Sequence, residues 1–352
     1  MNCNRLLNKA LALLLCAVLL IGYLPVSALL VAATTTGDQW ESEKDVVGTT
    51  PETPLKIQGL RLALQSDLSV GFTVAPAMFA DGAYTDLRME FRLGDENAEP
   101  VVVTDYITLS DGNRVYMFNG IAPRMLKEKV YAKLYGTYMG KEYSVQSSTS
   151  IFAYCNWALG GNDAKLKKLV VDLMNYASAH QVYANYKTDD LANKELTPAQ
   201  LALGTQADPA RSSIYKGDYA VIANATASFT GVQLYLQNKV EIRFTAKVPA
   251  LTANTRLVIE VDGQKVTYGA EDFVAKGDKY YVDVDAMTAQ QMRSPVYATV
   301  YEGETAISNT IRYSIETYVA SAYGSTVWSS KELDAMMVAM LKYGDSAYAY
   351  FN

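Results

Sequence analysis

Apolar and polar residues alternate strictly over several short runs of this chain. The first run contains Leu60, Leu62 and Leu64, and after a short polar turn the pattern resumes. A period of two predicts β-strands with one buried face. Similar runs recur along the chain, separated by turn signals such as Asp262-Gly263 at intervals of about ten residues. The sequence therefore predicts antiparallel sheets with short connections.

The period changes to that of a helix after each strand-rich stretch. Ser150 and Ser314 stand immediately before apolar residues and have the chemistry of helix N-caps. Residues 166–186 and 333–351 then carry apolar side chains at helical spacing. The pattern predicts a short helix followed by a long helix, a helical hairpin, at two places in the chain.

The two strand-and-helix stretches match each other in sequence. Residues 59–65, GLRLALQ, correspond to residues 231–237, GVQLYLQ, and residues 130–135, VYAKLY, correspond to residues 296–301, VYATVY. Such repetition indicates two copies of one structural unit, because repeated positions report the scaffold. Positions that differ between the copies are then the candidates for function.

These features predict an α+β fold. It consists of two tandem antiparallel β-sandwich units of the immunoglobulin or fibronectin III-like kind, each followed by a C-terminal helical hairpin. The predicted organisation is a signal peptide at residues 1–33, a flexible leader at 34–56, unit 1 at 57–186, a linker at 187–229 and unit 2 at 230–352. Within the linker, a short helix at residues 198–203 is predicted, with Thr197 as its cap.

The N-terminus has the composition of a secretory signal peptide. Arg5 and Lys9 precede an apolar run at residues 10–24, and small residues follow. Cleavage is expected after Ala33, with Ala28 as the alternative, and retention of the segment as an anchor is a further alternative. The expected location is therefore secreted, extracellular or on the cell surface. Contact with a membrane is expected only through an uncleaved signal.

Net charge and cysteine count exclude some classes of partner and of stabilising bond. With Arg5 and Lys9 removed from the 31 basic residues, the 37 acidic residues leave the mature chain with a net charge of −8. This balance disfavours nucleic acid as a partner. Cys155 is then the one remaining cysteine, which excludes an intramolecular disulfide. Stability must therefore come from apolar burial.

No catalytic constellation stands out in the sequence. His180 is the only histidine, lies near the end of a predicted long helix and is replaced by alanine in the second copy. Glu90 and Glu260 recur at matching strand positions and alternate with buried residues, which indicates solvated carboxylates. Asp283 and Asp285 could offer oxygen ligands to calcium, but the sequence contains no calcium-binding loop. No cofactor or metal is expected.

Aromatic residues supply the candidate binding surfaces. Tyrosine outnumbers phenylalanine by 26 to 9, which suits half-exposed sheet faces and binding surfaces. The possible ligand-facing aromatic residues form two clusters, Tyr131, Tyr135, Tyr138 and Tyr143 in unit 1, and Tyr297, Tyr301 and Tyr313 in unit 2. Cross-strand pairing within the sheet is the alternative interpretation. Trp157 and Trp328 lie at nearly equivalent positions between the short and the long helix, where packing is favoured over ligand stacking.

The first long helix carries a resemblance to a known group of proteins. The relevant residues are LMNYA at 173–177, QVYANY at 181–186 and TDDLAN at 188–193, with Ser150-Ile151 and Tyr154-Cys155 before them. They resemble the Tyr-rich tandem repeat modules of large secreted and surface proteins of gut Firmicutes. The resemblance extends over most of residues 57–352. It implies an extracellular, modular and non-enzymatic protein, and it implies no functional residue.

The sequence predicts a secreted or surface-displayed, non-catalytic bacterial protein that binds or presents extracellular glycan or protein. The alternative is a secreted carboxylate-dependent, glycosidase-like hydrolase with a site between the two units. A purely architectural spacer is a third hypothesis. Loss of polysaccharide turnover on replacing a single carboxylate would favour the hydrolase, whereas saturable binding without product would favour the binding module.

Overall fold

The structure is a computed structural model, and it describes most of the chain. The described residues are 54–64, 68–212, 217–236, 240–285, 287–327 and 329–352, together with the backbone of residues 31–36 and 43–47. Except for residues 31–33, the predicted signal peptide lies outside them, as does Trp328. The fold is mixed α+β, with four sheets in which every described pairing is antiparallel.

The first half of the molecule contains ten strands in two sheets. They are β1 (Val31–Thr36), β2 (Glu43–Val47), β3 (Gly59–Ala63), β4 (Leu68–Val74), β5 (Thr85–Leu93), β6 (Val101–Val103), β7 (Ile107–Thr108), β8 (Arg114–Ile121), β9 (Val130–Tyr138) and β10 (Lys141–Thr149). One sheet has the order β1-β3-β4-β8-β7 and the other β2-β10-β9-β5-β6. The two sheets contact each other through Phe72 and Phe91, whose ring centroids are 5.7 Å apart.

The second half contains ten further strands in two sheets. They are β11 (Gly217–Ala220), β12 (Ser228–Leu236), β13 (Val240–Lys247), β14 (Thr255–Val261), β15 (Gln264–Tyr268), β16 (Val274–Lys276), β17 (Lys279–Val284), β18 (Val296–Glu302), β19 (Thr305–Ala306) and β20 (Thr310–Tyr313). The orders are β12-β13-β17-β16 and β11-β20-β18-β14-β15, with β19 pairing only with β18. Except for β1 and β19, these orders repeat those of the first half strand for strand.

Five α-helices complete the described part of the chain. They are α1 (Ile151–Gly160), α2 (Ala164–Tyr183), α3 (Pro198–Leu201), α4 (Ile315–Ala322) and α5 (Lys331–Phe351). The predicted N-caps are confirmed, because the Oγ atoms of Ser150 and Ser314 each accept a backbone N–H three residues later, at 3.0 Å. The predicted cap of the short α3, Thr197, is also confirmed, and it forms a capping box with Gln200. None of the described helices is both long and apolar enough to cross a bilayer.

The two long helices, α2 and α5, pack against each other and join the two halves into one core. Tyr176 and Tyr343 occupy the same turn of their respective helices, and their rings stack with centroids 6.0 Å apart. The hydroxyl of Tyr343 also donates a hydrogen bond to the backbone oxygen of Leu64 at 2.7 Å. Each hairpin therefore packs on the other half as well as on its own sheets.

The prediction of a flexible leader at residues 34–56 requires correction. β1 pairs with β3 and β2 pairs with β10, so residues 34–36 and 43–47 of this segment extend the sheets. Leu55 is also buried. The local sequence lacks an apolar period because a strand added at a sheet edge is stabilised by backbone hydrogen bonds to distant residues.

The predicted linker at residues 187–229 also has more structure than expected. The backbone N–H of Ala192 donates to Gln181 of α2 at 2.8 Å. Thr205 donates to the buried carboxylate of Asp172, from its backbone N–H at 2.8 Å and from its hydroxyl at 2.7 Å. Farther along, β11 and the start of β12 already belong to the sheets of the second half. Polar side chains of α2 thus hold the connection in place.

Replacing Asp172 with asparagine is expected to remove a contribution that makes stability fall as the pH rises. Burial raises the pKa of Asp172 in the folded chain, although the hydrogen bonds from Thr205 oppose the shift. A raised folded-state pKa means that stability falls as the pH rises from the unfolded value of about 3.9 through the folded value. We expect urea titrations from about pH 4 upward to show that the native chain loses stability relative to Asp172→Asn as the pH rises. Equal slopes with pH for the two chains would contradict the assignment.

The register of the sheets corrects the predicted match of Glu90 with Glu260. Glu90 lies opposite Lys133, whereas Glu260 lies opposite Tyr297. Arg92 is the residue opposite Tyr131, the counterpart of Tyr297 in the sequence repeat. The two strands therefore correspond with an offset of two residues, which keeps both glutamates on the outer face and hides the offset from a pattern of period two.

A groove along an edge of the second half

The four tyrosines of the first predicted cluster do not share one face. Tyr131 and Tyr135 lie on the outer face of β9, and the guanidinium of Arg88 lies 4.4 Å from the ring centroid of Tyr135. Tyr138 and Tyr143 instead pack against the buried ring of Tyr84, with centroid distances of 5.7 Å and 6.1 Å. The cluster thus divides between an outer sheet face and the edge of the core.

The second predicted cluster divides in the same way. Tyr297 and Tyr301 lie on the outer face of β18, where Tyr297 contacts Tyr219 with ring centroids 4.6 Å apart. Tyr313 points inward and is only 9% exposed. Burial, with the nearby Tyr318 as a smaller cause, raises the pKa of Tyr313 to about 12. Tyr313 is therefore neutral at physiological pH and available as a hydrogen-bonding hydroxyl.

The outer faces carry the same arrangement in both halves. Arg88 lies opposite Tyr135 and forms an ion pair with Glu142 at 2.8 Å. Arg256 lies opposite Tyr301 and forms an ion pair with Glu304 at 2.9 Å. Recurrence indicates scaffold, so these tyrosines are better explained as cross-strand pairs than as a ligand surface.

A groove of about 660 Å³ lies between β12 on one side and β11, β20 and α4 on the other. It opens between the edges of the two sheets of the second half. Its walls contain four aromatic rings and several polar groups, among them Phe229, Tyr235, Tyr313, Tyr318, Gln233 and Arg312. Aromatic rings with polar tips and a guanidinium are enriched at protein binding surfaces. Of the predicted ligand-facing residues, only Tyr313 contributes to this groove.

The groove is lined by a serine at a position where the first half has tryptophan. Counted from the N-cap serines, Trp157 of α1 and Ser321 of α4 occupy the same position. The ring of Trp157 packs against Tyr154, with centroids 5.4 Å apart, whereas the small Ser321 is exposed at the groove. Ser321, and not Trp328, is therefore the counterpart of Trp157. This difference between the copies was the available sequence signal for the site.

One wall of the groove is held by charges that have no counterpart in the first half. Arg243 forms two hydrogen bonds with Asp283, at 2.6 Å and 2.8 Å, and a third with the hydroxyl of Tyr235 at 2.8 Å. The hydrogen bonds to Asp283 raise the pKa of Arg243. The position of Arg243 corresponds to Gly71 in the first half, because each precedes the matching residue Phe244 or Phe72. These hydrogen bonds fix the orientation of the Tyr235 ring in the wall of the groove.

The other residues considered for chemistry lie elsewhere. His180 is 2% exposed on α2 and stacks on Tyr176, with ring centroids 6.1 Å apart. Burial strongly raises the pKa of Cys155, so its thiol is held in the neutral form. Asp283 is engaged by Arg243, and Asp285 accepts a hydrogen bond from Tyr268. Among the described residues, no group of three or more side chains is arranged as metal ligands.

Comparison with known proteins does not assign this chain to a family. A scan against protein-family models gives no match, and a search of curated proteins gives none either. The resemblance to Tyr-rich repeat modules therefore stays a prediction.

Proposed function

We propose that this protein is an extracellular, non-catalytic binding module whose ligand site is the groove along β12. The aromatic groove, which has Ser321 where the first half has Trp157, is the observation that carries the proposal. The predicted signal peptide and the acidic charge agree with a protein that acts outside the cell on glycan or protein. The proposed ligand site therefore lies at a position where the two copies differ in sequence.

The same proposal assigns a scaffold to each half. We take each half as an immunoglobulin or fibronectin III-like β-sandwich followed by a helical hairpin, arranged in tandem by duplication. The matching strand orders of the two halves and the contact between Phe72 and Phe91 support this assignment. A sandwich scaffold with an added site is a common arrangement for binding proteins, because rigid sheets position the side chains at their edges.

The lining of the groove favours binding over hydrolysis. Glycosidases generally require two carboxyl groups on opposite sides of the scissile bond. Among the described lining residues, Asp218 is the single carboxylate. The nearby Asp283 is already paired with Arg243, so it is a poor candidate for a general acid or nucleophile.

Closing the groove is the direct test of the proposal. The variant Ser321→Trp restores the residue type that the first half has at this position, so it is expected to fill the groove while leaving the fold intact. The native chain and the variant would be applied to panels of immobilised glycans and extracellular proteins. We expect saturable binding by the native chain, reduced by about tenfold or more in Ser321→Trp, since each factor of ten is about 1.4 kcal/mol.

The matched control is Ser110→Trp, which adds an indole at an exposed turn of the first half, between two strands of a sheet that does not contain β12. It is expected to bind as the native chain does. Equal binding by all three proteins would exclude the groove as the site. Product formation from a polysaccharide by the native chain would establish the hydrolase instead.

A further inference from the structure

The outer edge of β12 is a free strand edge in the described part of the chain. β12 pairs with β13 on one side, and no described strand pairs with its other side, which faces the groove. A free edge presents backbone N–H and C=O groups that another extended chain can pair with. Gln233, near the middle of β12, is exposed, which fits an uncovered edge.

The first half shows what fits on the equivalent edge. β3 corresponds to β12, because Leu60 and Val232 lie opposite the matching phenylalanines Phe72 and Phe244. On β3, the outer edge is covered by β1, an antiparallel strand with the sequence VAATTT, which cleavage after Ala28 leaves whole and cleavage after Ala33 would shorten to residues 34–36. Consistent with this cover, Leu60 is buried at 2% exposure, whereas Val232 is half-buried. The fold thus accepts an added strand at this place.

The groove also has room for a large side chain. Where the first half places the indole of Trp157 against Tyr154, the second half places Ser321 beside Tyr318. The added volume lies directly beside the free edge, between the two sheets. A strand that pairs with β12 points alternate side chains into that space, because successive residues of a strand face opposite sides.

We propose that the groove binds an extended polypeptide of a partner protein, which adds to β12 as an antiparallel strand and inserts one aromatic side chain beside Tyr318 and Ser321. The inference rests on the proposed function and names its partner class. Backbone pairing along the edge supplies affinity, and the aromatic side chain in the groove supplies specificity. A largely uncharged segment fits best, since the segment on the equivalent edge of the first half, VAATTT, contains no charged residue.

The test uses synthetic hexapeptides and the full chain. Six acetylated and amidated peptides would carry the sequence Val-Ala-Ala-Thr-Thr-Thr with tryptophan at one position each, and their binding would be measured by isothermal titration calorimetry. A second set would carry N-methyl groups on alternate amides, which removes ladder donors and leaves the side chains unchanged. N-methylation is expected to weaken the best peptide by about tenfold or more, because several backbone hydrogen bonds to β12 are lost.

The protein variants complete the design. Ser321→Trp is expected to weaken the best peptide by about tenfold or more, and Ser110→Trp to leave its affinity unchanged. Failure of all six peptides to bind saturably would overturn the inference, as would equal affinity for the N-methylated form. Peptide binding that Ser321→Trp leaves unchanged would also overturn it, because the peptide would then lie elsewhere, for example on the edge of β3.

The peptide test and the panel test can contradict the two proposals independently. If the native chain bound a glycan, Ser321→Trp lost that binding and no peptide bound, the polypeptide inference would be wrong and the proposed binding function would stand. If the native chain bound nothing in either test, both the proposed binding function and the polypeptide inference would be wrong.

Discussion

Replacing Tyr343 with alanine is expected to lower the free energy of unfolding of the whole chain by about 3–5 kcal/mol, the range for truncating a large buried aromatic residue. Tyr343 stacks on Tyr176 across the contact between α2 and α5, and its hydroxyl donates to the backbone oxygen of Leu64. The substitution therefore leaves a cavity between the halves and removes the partner of a buried carbonyl. Both halves are expected to unfold at a lower urea concentration, measured by circular dichroism and tryptophan fluorescence.

Two further substitutions separate the causes of this loss. Tyr343→Phe keeps the ring and removes the hydroxyl, so it is expected to cost about 1–3 kcal/mol for the unsatisfied carbonyl. Tyr348→Ala, on the same helix, removes a side chain that is 59% exposed and is expected to change stability by less than about 0.5 kcal/mol. If Tyr343→Ala behaved like Tyr348→Ala, the packing of α2 on α5 would be wrong.

Replacing Arg293 with alanine is expected to cost about 3 kcal/mol, because it leaves a buried carboxylate without its cation. Arg293 donates two hydrogen bonds to Asp345 of α5, at 2.6 Å and 2.9 Å, and one to Glu316 of α4. It also donates to the backbone oxygen of Ala210 at 2.7 Å. The side chain of Glu316 is only 7% exposed, so water cannot replace the lost partner. Urea unfolding at neutral pH would measure the change.

The control for Arg293 is an ion pair at the surface, in which Arg88 donates one hydrogen bond to Glu142. Arg88→Ala removes the partner of Glu142, whose side chain is 51% exposed, and is expected to cost less than about 1 kcal/mol. Arg293→Lys is expected to be intermediate, since an ammonium group cannot make the two parallel hydrogen bonds that the guanidinium makes to Asp345. A cost for Arg293→Ala no larger than that for Arg88→Ala would show that Glu316 is not held by this residue.

Local patterns in the sequence predicted the regular structure well. The alternation at Leu60, Leu62 and Leu64 identifies β3, and the serines before Ile151 and Ile315 identify the starts of α1 and α4. These signals are local, because side-chain direction and capping depend on residues a few positions apart. The repeat likewise predicted that strands of the two halves would correspond, and the two sets of sheet orders match.

The same local patterns predicted few residues of the candidate site. Of the seven predicted tyrosines, only Tyr313 lines the groove. Alternation places Tyr131, Tyr135, Tyr297 and Tyr301 outward correctly, yet it does not distinguish a ligand surface from cross-strand pairs with Arg88 and Arg256. The groove has Ser321 where the first half has Trp157. This difference becomes visible only when the two copies are aligned by their N-cap serines.

The amino-acid sequence by itself determined the strands, the helices, their caps and the correspondence of the two copies, since each of these depends on neighbouring residues. Only the tertiary structure decided that α2 packs on α5, that residues 31–36 and 43–47 extend the sheets, and that β12 keeps an open edge beside Ser321. The physical reason is that an apolar face or a strand edge can be covered by a distant segment, and the local sequence does not specify whether it is covered or by which segment.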